Sequence, residues 1–109
     1  MESLSSFFER RSKARFPLRL GVRYRSLSGN PLLVGEGKTL NMSSCGLLIA
    51  PDADAQLSTG ARLQLTVDWP LRLHGTTPLQ LIVSCRVTRS LPEEFAVRLE
   101  QYLFRTRKR

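Results

Sequence analysis

Histidine occurs once and cysteine twice in this 109-residue chain. A zinc site takes about four nitrogen or sulfur ligands, which His74, Cys45 and Cys85 cannot supply. No metal or other cofactor is expected. His74 lies in a Gly/Thr/Pro loop with no assignable partner, and general-base or nucleophilic chemistry needs positioned partners. An enzyme is therefore the weakest reading. Apolar runs are short, and none approaches the roughly 20 residues of a membrane span. Met1–Phe8 lacks the apolar core of a secretory signal, and its basic residues follow rather than precede it. A cytoplasmic protein with reduced thiols is the expectation.

Acidic residues are also few, nine against 17 Lys and Arg, for a net charge of +8. The excess sits at the ends. Residues 1–15 hold four basic and two acidic groups, residues 105–109 hold four basic groups, and the middle is nearly balanced. A basic end can bind nucleic acid, anionic lipid or a phosphorylated small molecule, or can serve as a solvated tail. Aromatics make up only 7%, and no aromatic row forms the stacking platform of a barrel that binds nucleic acid without sequence preference. DNA is thus not the expected partner. Hydrophobic content of 41% in a chain of this length fits one domain with a single modest core.

Alternation with a period of two dominates the chain. Leu18, Leu20, Val22 and Tyr24 alternate with Arg19, Gly21, Arg23 and Arg25, the pattern of a half-buried strand. Leu33–Asn41 and Leu47–Ala50 read as two more strands, separated by a turn at Ser43–Gly46. Arg62–Trp69, Leu79–Val87 and Phe95–Glu100 alternate again, with breaks at Pro51–Gly60, Pro70–Pro78 and Leu91–Glu94. Leu99, Tyr102 and Leu103 then fall at i, i+3 and i+4, which predicts a short helix over residues 99–106. Six strands and a terminal helix imply an all-β protein, a small antiparallel barrel with a C-terminal helix packed on it. The expected core is Leu18, Leu20, Val22, Leu47, Ile49, Leu63, Leu65, Val67, Leu81, Val83, Val87, Phe95 and Val97.

Two short motifs carry chemistry. The first is Arg11-Ser-Lys-Ala-Arg15, preceded by Arg10. Each guanidinium is a permanently charged planar fork that can grip a phosphate or stack on a purine. At a spacing of four, both lie on one side of an extended segment roughly 13 Å apart, or roughly 6 Å apart in a helical turn. Either suits a ligand with two phosphates and two flat bases. The second motif is Asn41-Met-Ser43-Ser-Cys-Gly46. Asn41 and Ser43 can stabilise a turn or bond a ligand's polar edge. Gly46 permits positive φ or a close approach to the backbone. The bland alternatives are an ordinary Arg-rich segment and an ordinary turn before a strand.

Together the motifs resemble the RxxxR and (D/N)xSxxG signatures of the PilZ family, bacterial receptors for cyclic di-GMP, and the resemblance spans residues 9–104. It implies a division into a flexible basic arm, residues 1–15, and a barrel with its C-terminal helix, residues 16–109. It further implies that Arg11, Arg15, Asn41, Ser43 and Gly46 close around cyclic di-GMP. Arg10 looks like the form that accommodates two intercalated ligand molecules per protomer, and it reads equally as one more solvated charge. The implied mechanism is a disorder-to-order transition of the arm that alters docking of an unidentified downstream protein. Two alternatives stand beside it. One is a protein adaptor that keeps the fold but needs no ligand, and the other is a small basic barrel that binds nucleic acid.

Overall fold

The computed structural model describes residues 19–27 and 33–106. Leu18, the segment carrying Arg10, Arg11 and Arg15, and the proposed arm boundary lie outside them. Six strands follow in chain order: β1 (Gly21–Ser26), β2 (Val34–Met42), β3 (Gly46–Pro51), β4 (Arg62–Leu73), β5 (Thr77–Leu91) and β6 (Glu94–Thr106). They close in the order β1-β2-β3-β6-β5-β4, with β1 pairing back onto β4. Every pairing is antiparallel, so the expected barrel is present.

The period of two explains the interior. Successive strand side chains point to opposite faces. Val22, Leu47, Ile49, Leu63, Leu65, Val67, Leu81, Val83, Val87, Phe95 and Val97 are all buried, and Leu20 packs half-buried against them. Tyr24, Met42, Trp69, Leu79 and Cys85 complete the cluster. Tyr24 meets Phe95 edge-on, with ring centroids 5.2 Å apart, and burial followed by the nearby Asp52 raises its phenol pKa. Cys85 is sealed inside. Burial, then the charge of Glu100, pushes its thiol up to about 12.

The expected helix over residues 99–106 is replaced by strand. β6 stays paired with β5 as far as Leu79↔Thr106. The ladder shifts register between Ser84 and Cys85, which face Gln101 and Leu99, leaving Glu100 as an extra residue on β6. This bulge puts Leu99 and Tyr102, three residues apart, on one face, opposite the buried Cys85 and Val83. A helical spacing in the sequence is therefore a strand with one inserted residue. Phe104 continues that face and packs edge-on against Trp69, with centroids 5.2 Å apart.

The break expected at Pro70–Pro78 is also shorter than the sequence indicates. β4 passes through Pro70 with a register shift between Trp69 and Arg72. It ends in a turn where His74 and Gly75 take φ values of 54° and 75°. Pro70 is tolerated because β1 pairs with β4 only over Leu63–Val67, so among the described residues no strand on that side asks for the missing N–H.

Candidate functional site

The β2–β3 connection is built by its own residues. The Ser43 N–H donates to the Gly46 carbonyl at 2.9 Å. The Ser43 Oγ in turn accepts from the Gly46 N–H at 3.2 Å and from the Cys45 N–H at 3.4 Å. The hydroxyl thus closes the turn locally, as short polar side chains do. Gly46 takes no positive φ; among the described residues only Gly60 and Gly75 do so as glycines. Its role is close approach, since a Cβ there would stand 2.8 Å from the Val97 carbonyl oxygen. The neighbour that demands glycine is therefore the backbone of β6.

Asn41 lies just past a register shift between Thr39 and Asn41 and pairs with Leu48. Among the described residues its side-chain amide has no hydrogen-bond partner. Leu48 pairs in turn with Ala96, and Gly46 with Arg98. Outside this stretch of β2, β3, β6 and β5 runs a groove of about 440 Å³. Leu48 and Ala96 form its small apolar floor, with Asn41, Ser43 and Cys45 on one side and Thr88, Arg89 and Arg98 on the other. The Thr88 Oγ1 donates to the Ala96 carbonyl at 3.2 Å. Arg89 is held loosely by Glu94 at 3.6 Å. Arg98 is exposed and, among the described residues, makes no ion pair. A small apolar floor with guanidinium forks and an amide beside it suits a flat base bearing phosphate.

Asn41, Ser43 and Gly46 are thus brought together along the groove, and Gly46 also lets the backbone of β6 approach. Arg10, Arg11 and Arg15 lie outside the described residues. The described chain begins at Arg19, beside β2. The Leu20 N–H donates to the Thr39 Oγ1 at 2.8 Å, and the Thr39 N–H returns to the Leu20 carbonyl at 2.9 Å. Thr39 is two residues from Asn41, a groove residue. At about 3.3 Å per extended residue, Arg15 can stand up to roughly 13 Å from Arg19 and Arg11 up to roughly 26 Å.

Arg98, Arg89 and Thr88 are groove residues that the sequence reading passed over. Arg98 was legible as an outward position on an alternating strand, but its register opposite Gly46 was not. Arg23 and Arg25 do face outward, on the wall of β1, β2 and β4. There they line a separate 330 Å³ hollow with Val34, Glu36 and Gln64. Among the described residues no group of three His, Cys, Asp or Glu could hold a metal ion, and no helix is long and apolar enough to cross a membrane.

A search of the curated proteins finds no match. The family model of the PilZ domain matches residues 9–107. The chain belongs to the PilZ domain family, a family of non-catalytic receptors that generally bind cyclic di-GMP.

Proposed function

We propose that this protein is a cyclic di-GMP receptor whose ligand lies in the groove over Leu48 and Ala96. The observation that carries the reading is a convergence. The Asn41–Gly46 turn and Arg98, which makes no ion pair among the described residues, border one groove, and the described chain begins at Arg19 and Leu20, beside Thr39 and two residues from Asn41. Asn41 offers an amide to a guanine edge, and Ser43 holds the turn while presenting its hydroxyl. Arg98 and Arg89 meet phosphate from β6 and β5, and Arg11 and Arg15 meet it from the N-terminal segment. Arg10 adds the cation that a second, intercalated ligand molecule requires.

The proposed signal is the ordering of residues 1–15 over the groove. Without ligand, the charges of Arg10, Arg11, Lys13 and Arg15 add to those that Arg89 and Arg98 present at the groove, and like charges repel. Phosphate neutralises them and lets the segment close. Closure costs conformational entropy of about 1–2 kcal/mol per fixed residue, so the charge-assisted contacts must exceed that. A downstream protein then reads the changed surface.

Cys45 supplies the test, because it is exposed in the groove while Cys85 is buried. Cyclic di-GMP should slow alkylation of Cys45 in the native protein, and GTP at the same concentration should not. Equal alkylation rates at saturating cyclic di-GMP would place the ligand elsewhere or exclude it.

A further inference from the structure

β3 pairs with β6 only over Phe95–Arg98, after which the Leu99 N–H bonds the Cys45 carbonyl at 2.9 Å. From Glu100 to Thr106, β6 has β5 on one side and, among the described residues, no strand on the other. β4 is open in the same way beyond Val67, where its pairing with β1 ends. The two open edges are built differently. That of β4 carries Pro70 and a register shift between Trp69 and Arg72, both of which blunt an edge against further pairing. That of β6 has no proline, and beyond its bulge at Glu100 it pairs with β5 from Gln101 to Thr106 without a further shift.

The residues on this unblunted edge are those of an interior strand. Tyr102-Leu103-Phe104 is apolar on both faces of the sheet, a pattern expected where both faces are covered. Yet Leu103 is 56% exposed and Tyr102 39%. A flat apolar edge left open to water invites pairing.

We propose that Gln101–Thr106 pairs antiparallel with the same segment of a second copy of this chain, on a two-fold axis at Leu103. The segment is self-complementary in that register and poorly matched in others. In an antiparallel ladder, hydrogen-bonded and non-bonded pairs alternate, so a two-fold axis must pass through a pair of identical residues. With the axis at Leu103, each Leu103 meets its copy. Each Tyr102 lies opposite the second copy's Phe104, an aromatic cross-strand pair, and each Gln101 lies opposite the second copy's Arg105. Moving the axis to Tyr102 sets Phe104 against Glu100 and Arg105 against Leu99. Moving it to Phe104 sets Leu103 against Arg105. Parallel pairing in register would stack Arg105 on Arg105. Only the first arrangement joins apolar with apolar and opposes no like charges. The inference does not depend on ligand binding.

The test combines mass with site-directed cross-linking of the full chain. Light scattering should give twice the monomer mass at high protein concentration, shifting toward the monomer on dilution. In a Cys45→Ser background, Leu103→Cys should form a disulfide-linked dimer under copper–phenanthroline oxidation. Directly opposed residues have Cα atoms about 4.5–5.5 Å apart, within disulfide reach. Val34→Cys in the same background is 74% exposed at the wild-type position, lies on β2 and should stay monomeric. Leu103→Lys should return the mass to that of a monomer while the circular dichroism spectrum and melting transition persist. The proposal is overturned by a monomer mass throughout the micromolar-to-millimolar range, by equal cross-linking at positions 34 and 103, or by a folded Leu103→Lys dimer.

Discussion

Gly46→Ala separates two accounts of the third position in the turn motif. One holds that glycine is required so that ligand can approach. The other, taken from the structure, holds that it is required so that β6 can. The new Cβ would stand 2.8 Å from the Val97 carbonyl oxygen and 3.9 Å from its carbon. An ordinary carbon–oxygen contact is about 3.3–3.6 Å, so β3 and β6 must part locally by roughly 0.5 Å. The obstructing atom is main chain and cannot swing aside as a flexible side chain would. Overpacking of this kind costs about 1–3 kcal/mol. At about 4–8 °C per kcal/mol for a domain near this size, Tm should fall by at least about 4 °C. Backbone conformation adds nothing, because Gly46 is not among the glycines with positive φ. Thermal unfolding without ligand is the assay. A Tm within a degree of wild type, accompanied by lost ligand binding, would refute the packing account and restore glycine as a ligand-approach residue.

The other predictions concern single groups. Arg98→Ala should weaken cyclic di-GMP binding by roughly 10- to 100-fold, the loss of about 1.5–3 kcal/mol for a charged hydrogen bond, with Tm unchanged; calorimetry on the variant checks this. Arg11→Ala and Arg15→Ala should each weaken binding strongly and Ser43→Ala less, and unchanged affinity in both arginine variants would remove the arm from the site. Phe95→Ala empties the centre of the barrel beside Tyr24 and should cost about 3–5 kcal/mol in urea unfolding. Glu100 accepts from the Arg86 Nε at 3.0 Å, and this hydrogen bond, with the surrounding arginines, lowers its pKa. A depressed folded-state pKa stabilises above the unfolded value of about 4.3 and is lost as pH falls through the folded one. Glu100→Gln should therefore flatten the acid limb of the stability profile below about pH 4.3, and an unchanged limb would contradict the assignment.

Much of the barrel was legible because one face of each strand is buried, which writes a period of two into the sequence. Val22, Leu63–Val67, Leu81–Val87 and Phe95–Val97 show it directly. Misreading began where the ladder is irregular. The bulge at Glu100 places Leu99 and Tyr102 on one face and imitates a helix. The shift at Trp69/Arg72 lets β4 continue through Pro70, which in isolation signals a break. Thr39 was passed over as core because its polarity hides that it is fully buried and bonded to Leu20. The groove was half legible. Asn41 and Ser43 lie two residues apart in the sequence and announce a turn. Arg98 and Arg89 reach the same groove only through strand register, which depends on pairing between distant segments.

The most direct measurement is calorimetric titration of cyclic di-GMP into the full chain at physiological salt, with GTP and a short DNA as controls. The account predicts saturable binding of the cyclic dinucleotide alone, with a ligand-to-protein ratio near two if Arg10 serves a second intercalated molecule. Absence of heat from cyclic di-GMP, or a response to DNA that falls steeply with salt, would leave the barrel standing and contradict the receptor function.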